Sequence, residues 1–143
     1  MSRFPFDVRA LTEDDIPRIA SLLERANEAA RQYRGAEILE SMAAAGGGRS
    51  SHGLIGTLDG EPQGILLWSE KDSIMTIEVL YVDPNSRNLG LGERLVNGAI
   101  AHARTAGMKR VLGRALPGDR ETKNVFERTG LVSQVIVVGR SLD

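Results

Sequence analysis

Residues 79–106 constrain the fold most tightly. Val79-Leu80-Tyr81-Val82 is a hydrophobic strand, Asp83-Pro84 turns the chain, and Arg87-Asn88-Leu89-Gly90-Leu91-Gly92 runs straight into an amphipathic stretch from Glu93 to Ala106. A strand that feeds a helix through a glycine-bearing loop outlines an anion site. The first turn of a helix has backbone N–H groups without intrahelical partners and carries the positive end of the helix dipole. Gly90 and Gly92 would let the backbone approach a phosphate closely.

Three readings compete for this loop. A nucleoside-triphosphate P-loop needs Lys-Ser or Lys-Thr after the glycines, and Glu93-Arg94 stands there instead. A dinucleotide-binding turn needs a third glycine where Leu95 stands and an acidic residue roughly 20 positions on, where Arg110 and Val111 are found. The third reading is a helix start that binds nothing, which the surrounding pattern disfavours.

That pattern resembles the pyrophosphate loop of the GNAT superfamily of acyl-CoA N-acyltransferases. The family loop is Arg or Gln, two residues, Gly, one residue, Gly or Ala, and Arg87, Gly90 and Gly92 match it. The resemblance continues upstream through Leu80-Tyr81-Val82-Asp83-Pro84. Downstream, Val125-Phe126-Glu127-Arg128-Thr129-Gly130-Leu131 is similar to a helix ending that many members write Phe-Tyr-Glu-Arg-x-Gly-Phe. These motifs cover the C-terminal half, and the N-terminal half is compatible in pattern.

The remaining elements follow from periodicity and punctuation. Asp7 to Leu11 reads as a strand. Thr12-Glu13-Asp14-Asp15 precedes a helix whose Pro17 is tolerated only near its start, and Ile16, Ile19, Ala20, Leu23, Ala26 and Ala30 form its apolar face. Ala36 to Ala45 is expected to be a second helix, followed by Gly46-Gly47-Gly48-Arg49-Ser50-Ser51 as a linker or a mobile flap. His52 to Leu58 and Gly64 to Trp68 make a hairpin around Asp59-Gly60, and Ile74 to Val82 is the next strand. The loop helix buries Leu91, Leu95, Val96, Ala99, Ile100 and Ala103 and stops at Gly107. Lys109 to Ala115 is a strand, Arg120 to Arg128 a helix closed by Gly130, and Leu131 to Val138 a final strand. The order βααβββαβαβ describes a mixed α/β (α+β) domain, with a mostly antiparallel central sheet flanked by helices. It is the order of the family resembled, slightly shortened at its end.

With 143 residues, one domain over 1–143 is expected, and 18 basic against 19 acidic side chains leave a net charge of −1. Bulk charge therefore suggests neither nucleic acid nor an anionic membrane as partner. The absence of cysteine removes disulfides, a thiolate nucleophile and cysteine-held metal. The opening residues lack the apolar core of a signal peptide, and no run reaches membrane-spanning length. A cytoplasmic protein is expected.

The resemblance implies a mechanism. The pantetheine arm of acetyl-CoA would enter a gap between two splayed strands and bond to the backbone of Leu80, Tyr81 and Val82, where a backbone N–H could also stabilise the oxyanion. Arg87 with the backbone of Asn88, Leu89, Gly90, Leu91, Gly92 and Glu93 would hold the pyrophosphate, and Phe126 would border the cofactor. Deprotonating a lysine-like amine at pH 7 costs roughly 4.6 kcal/mol, whereas returning a proton to a thiolate matters by only about 2 kcal/mol. The base is thus the more important group, and Glu78, on the strand face of Thr76, is the candidate; the alternative is an outward-facing carboxylate in solvent.

Two positions depart from the family. Phe126 replaces the tyrosine that protonates the leaving thiolate, so water, Asn124 or Ser133 would have to assist. Asp119 replaces a frequent asparagine and directs a negative charge toward a polyanionic cofactor unless it turns away. The implied function is acetyl transfer to a small-molecule or peptide amine by direct attack, with a non-catalytic acyl-CoA sensor as the alternative. No metal is implied, because His52 and His102 are isolated and read as solvated. Trp68 reads as core or interface, and Tyr33 borders the expected acceptor region. A homodimer is possible through the final strand or a hairpin edge.

Overall fold

The computed structural model describes residues 4–37 and 52–143. Within them, strands β1 (Asp7–Ala10), β2 (His52–Leu58), β3 (Glu61–Lys71), β4 (Ile74–Val82) and β5 (Arg110–Gly113) form one sheet in sequential order. The first four are antiparallel neighbours and β5 runs parallel to β4. Helix α1 (Ile16–Arg31) covers one face, while α2 (Leu91–Thr105) and α3 (Arg120–Arg128) cover the other. A mostly antiparallel sheet with helices on both faces is the mixed architecture anticipated above.

Turn chemistry sets the long meander. Asp59 and Gly60 take φ of 50° and 83°, and Asp72 and Ser73 take 53° and 64°. Two consecutive positive φ values make turns whose twist matches that of the flanking strands. β3 runs on to Lys71 and does not stop at Trp68, because pairing with β4 continues through Ser69↔Thr76, Glu70↔Met75 and Lys71↔Ile74 up to this second turn, which carries no glycine.

The larger core packs Leu91, Leu95, Val96, Ala99 and Ala103 of α2, with Val125 and Phe126 of α3, against Leu54, Leu66, Trp68, Met75 and Ile77 of the sheet. The smaller packs Ile19 and Leu22 of α1 against Ile55 and Ile65. Ile16 is exposed and Leu22 buried, so the inner face of α1 is rotated from the expected stripe. Asp15 explains the offset. Its carboxylate accepts from Arg9 at 2.7 and 2.8 Å and from the Thr12 N–H at 2.9 Å, pinning the first turn to β1. These bonds, Arg9 first, hold the Asp15 carboxyl well below the usual carboxylate range.

The expected final strand is not formed. Residues 131–143 have no regular secondary structure, and Val132, Val135, Ile136, Val137 and Val138 are exposed. The sequence has strand-like composition there, but no strand among the described residues pairs with it, and β propensity alone does not make a strand. The order among the described residues therefore ends in a helix. Ala36 and Glu37 are helical, whereas the rest of the expected second helix and the glycine-rich stretch to Ser51 lie outside the described residues.

Candidate active site

A β-bulge organises the site. Leu67 of β3 faces Val79 and Trp68 faces Ile77, leaving Glu78 as the extra residue of β4. Met75 and Ile77 belong to the larger core before the bulge, and Leu80 and Val82 pack on that core after it, so the alternation shifts by one. Val79 and Tyr81 accordingly turn to the α1 side.

The same point marks the end of β4–β5 pairing. The parallel register runs from Ile74↔Arg110 to Ile77↔Gly113 and goes no further. Beyond it the β5-facing edge of 78–82 has no strand partner among the described residues, and a cleft of about 1370 Å³ opens there. Glu78, Leu80, Tyr81 and Val82 line it together with Tyr33 of the segment after α1. Unpaired strand backbone on a cleft wall is equipped to bond an extended ligand arm.

Glu78 lies inside this cleft, with its side chain 17% exposed. One carboxylate oxygen accepts from Ser69 Oγ at 2.7 Å and the other from Arg114 at 3.2 Å. Ser69 pairs with Thr76, so Glu78 does share Thr76's face, and it is not an outward carboxylate in solvent. Arg114 follows directly on β5 and bridges the gap where the two strands part.

At the other end, the loop from Arg87 reaches α2. Asn88 and Gly90 take φ of 64° and 88°, and Gly90 caps the helix. The first intrahelical bond runs from the Arg94 N–H to Gly90 O at 3.0 Å, so the N–H groups of Leu91, Gly92 and Glu93 precede the ladder. The two glycines have different roles. A Cβ on Gly90 would meet nothing within 4 Å, so its conformation is what requires glycine. A Cβ on Gly92 would lie 3.3 Å from Val125 Cγ2, so its missing side chain serves the α2–α3 contact. Leu91 turns its side chain into the core and Leu89 is exposed, leaving their backbones to the loop.

The arginines lining the cleft each have a carboxylate partner. Arg87 bonds Val82 O at 2.9 Å, stands over the Tyr81 ring and pairs with Glu121 at 3.1 Å. Arg128 pairs with Glu93 at 2.6 Å, and Arg114 with Glu78. Asp119 lines the cleft too, with its carboxylate engaged as the N-cap of α3, accepting from the Thr122 N–H at 3.2 Å. Asp83 fixes the loop entry. It accepts from the Asn85 N–H at 2.9 Å and from Arg25 at 2.6 Å, which hold its carboxyl below the ordinary range despite burial.

Several sequence expectations are corrected. Phe126 does not border the cleft: it is 6% exposed, and its Cζ lies 2.6 Å from where a Cβ on Gly113 would stand. The helix turns this position onto β5, where the missing Gly113 side chain makes room for the ring. Ser133 lies on the exposed C-terminal segment, whereas Asn124 does line the cleft. His52 and His102 are exposed, as read, and both also approach Trp68, at ring distances of 5.9 and 5.0 Å. Sequence reasoning missed Ser69, Arg114, Glu121 and Arg128; only the fold brings them together. Among the described residues no cluster of three or more His, Cys, Asp or Glu side chains could hold a metal, and no helix is long and apolar enough to cross a membrane.

Comparison with known proteins places this geometry. Residues 16–131 match the sequence model of the acetyltransferase (GNAT) family. An aminoglycoside acetyltransferase from an uncultured soil metagenomic sample, solved with sisomicin, superposes with a TM-score of 0.70 at 20% identity, over 97% of both chains. A ribosomal-protein-alanine N-acetyltransferase from Brucella melitensis biovar Abortus 2308 gives 0.65 at 17% identity, covering 94% of this chain and 99% of that one. A GNAT family N-acetyltransferase from Escherichia coli in complex with CoA gives 0.63 at 21% identity, covering 91% of this chain and 70% of that one. These similarities show a shared fold. No curated protein gives a significant match.

Proposed function

The chain belongs to the GNAT acetyltransferase family, and from that premise we infer that it transfers an acetyl group from acetyl-CoA to a primary amine by direct attack in a ternary complex. The observation that carries this reading is the end of β4–β5 pairing at Ile77↔Gly113, which opens unpaired β4 backbone between Glu78 and the N-terminus of α2. One end of the cleft suits a diphosphate, because Arg87 and the free N–H groups of 91–93 converge there. The pantetheine arm would lie along Leu80, Tyr81 and Val82.

At the reacting end, the amine nitrogen attacks the thioester carbon, the C–N bond forms and the C–S bond breaks as the tetrahedral intermediate collapses. The amine proton passes to Glu78, directly or through one water, and the CoA thiolate takes a proton from solvent. Ser69 and Arg114 hold the carboxylate in place, while its remaining lone pairs stay able to accept. The acceptor is a small molecule or a peptide amine, and the setting is the cytoplasm.

Titration calorimetry with acetyl-CoA, using CoA and a dinucleotide as controls, tests the cofactor. Micromolar acetyl-CoA binding is expected, lost in an Arg87→Ala, Gly90→Asp variant, and no binding by the folded parent chain would sink the reading. In an amine screen, Glu78→Gln should lower kcat by about 10²–10⁴-fold with acetyl-CoA affinity retained. A binding-only sensor is the second reading, favoured by Phe126 lying in the core where a proton-donating tyrosine would be expected. It predicts acetyl-CoA binding without turnover on any amine.

A further inference from the structure

Alternation along β5 decides which way Arg114 points. Val111 packs on the larger core and the Phe126 ring fills the space over Gly113 on that same side, so Leu112 and Arg114 turn to the α1 face, where Glu78 lies. The two side chains are 30% and 17% exposed, so the pair sits largely out of solvent at the wall of the cleft. Only one guanidinium nitrogen is committed. Arg114 Nη1 donates to Glu78 Oε2 at 3.2 Å, while Nε and Nη2 have no hydrogen-bond partner among the described residues. A guanidinium carries five donors in a planar fork, so a second edge of Arg114 stays open to an anion.

Around this pair the wall is uncharged. Ala26, Ala29, Ala30, Tyr33 and Ala36 line the cleft from α1 and the segment after it, and Leu116 lines it from the chain just beyond Arg114. The two segments meet there: a Cβ on Gly118 would stand 3.4 Å from Tyr33 Cδ1, and one on Gly35 would stand 3.6 Å from Leu116 Cδ2. The other carboxylates of the cleft are engaged elsewhere, Glu93 with Arg128, Glu121 with Arg87 and Asp119 as a helix cap. An acceptor seated beside Glu78 therefore meets one negative charge, one positive charge and an apolar wall.

We propose that the acceptor is a free α-amino acid with an apolar side chain, its amine at Glu78, its carboxylate on the open edge of Arg114 and its side chain against the alanine and Tyr33 wall. This rests on acetyl transfer being the reaction. The fit is one of charge and length. In an α-amino acid the nitrogen and the carboxylate carbon are two bonds apart, about 2.5 Å, which matches opposite charges held in contact on the protein. A zwitterion adds no net charge to the half-buried pair, whereas a plain ammonium or a polycation would face the Arg114 charge with no anion to answer it. The α-ammonium gives up two protons, one of them to Glu78, as the C–N bond forms and the C–S bond breaks. The thiolate takes one proton from solvent, so each N-acetyl amino acid formed releases CoA and one proton.

CoA release from acetyl-CoA, with the product confirmed by mass, tests this on L-leucine, L-phenylalanine, their carboxamides and sisomicin. The acids should exceed their amides in kcat/KM by about 10–10²-fold, the effect of one charge-assisted pair. In Arg114→Ala that preference should collapse, and Arg114→Lys should keep part of it as a point charge without the fork. Each ratio is taken on a single protein, so any disturbance of Glu78 cancels from it. Amides used as well as acids, sisomicin used in preference to both, or a preference that survives Arg114→Ala overturns the proposal and leaves acetyl transfer standing. No turnover on any of these acceptors also overturns it. Calorimetry with acetyl-CoA then separates the two failures, since binding leaves the cofactor site intact and its absence removes the acetyltransferase reading as well.

Discussion

Gly56 and Gly64 link sheet packing to cofactor affinity through Leu91. A Cβ on Gly56 would stand 2.6 Å from Leu91 Cδ1, and one on Gly64 would stand 2.9 Å from Leu91 Cδ2. Leu91 is 1% exposed and is the first residue of α2, so its side chain seats the helix whose N-terminal N–H groups face the proposed diphosphate. Carbon atoms settle at about 3.5–4.0 Å, so Gly56→Ala must move Leu91 by roughly 1 Å. Overpacking of this kind costs about 1–3 kcal/mol, offset by about 0.5–1 kcal/mol for removing a strand glycine. The expected net loss is about 0.5–2 kcal/mol in urea unfolding, with acetyl-CoA affinity about tenfold weaker because the donors shift with the helix. Leu91→Ala alone should cost about 2–5 kcal/mol. In that background the clash is gone and Gly56→Ala should be neutral or stabilising, giving a coupling of about 1–3 kcal/mol. Additivity within about 0.5 kcal/mol, or unchanged affinity in Gly56→Ala, would refute this packing argument.

Glu121→Gln should tighten acetyl-CoA binding about two- to fivefold by calorimetry, because it frees Arg87 from a part-exposed ion pair of modest strength; weaker binding would mean that Glu121 positions Arg87. Phe126→Tyr should destabilise the fold by about 1–3 kcal/mol and leave turnover no higher, since its hydroxyl would be forced toward Gly113 in the core; a rate gain would contradict the ring's placement. Asp15 and Asp83 have depressed carboxyl pKa values, so their contribution is present above about pH 4 and is lost as pH falls through the folded-state values. The urea midpoint of the parent should therefore drop on acidification below pH 4, and less steeply in Asp83→Asn, where equal slopes would count against the assignment.

What could be read from the chain, and what could not, divides along a physical line. Gly90, Gly107, Gly130 and the Asp59-Gly60 turn were legible because each answers a local backbone requirement: each has positive φ in the fold. The stripe on α2 was legible because 3.6-residue periodicity is a local signal, and Leu91, Leu95, Val96, Ala99 and Ala103 are all buried. Glu78 could be placed on its strand, but strict alternation carried through Ile77 would have sent Leu80 and Val82 to the wrong face. The bulge that prevents this exists only in the register with β3. Phe126 shows the same limit from the other direction. Its motif position suggested the cofactor, while the deciding fact was the missing side chain of Gly113, thirteen residues earlier and on another element. Arg114 had no local signature at all, since an arginine at a strand end is ordinary until the neighbouring strand parts from it and leaves a carboxylate across the gap. The final run failed for a related reason: strand propensity describes what a segment can do when a neighbour is present, and among the described residues the β5 edge nearest to it is only four residues long. Local geometry thus accounts for the loop that would hold an anion, whereas the groups around the proposed reacting amine are set by long-range register, and mutational tests of the mechanism should begin with Glu78 and Arg114.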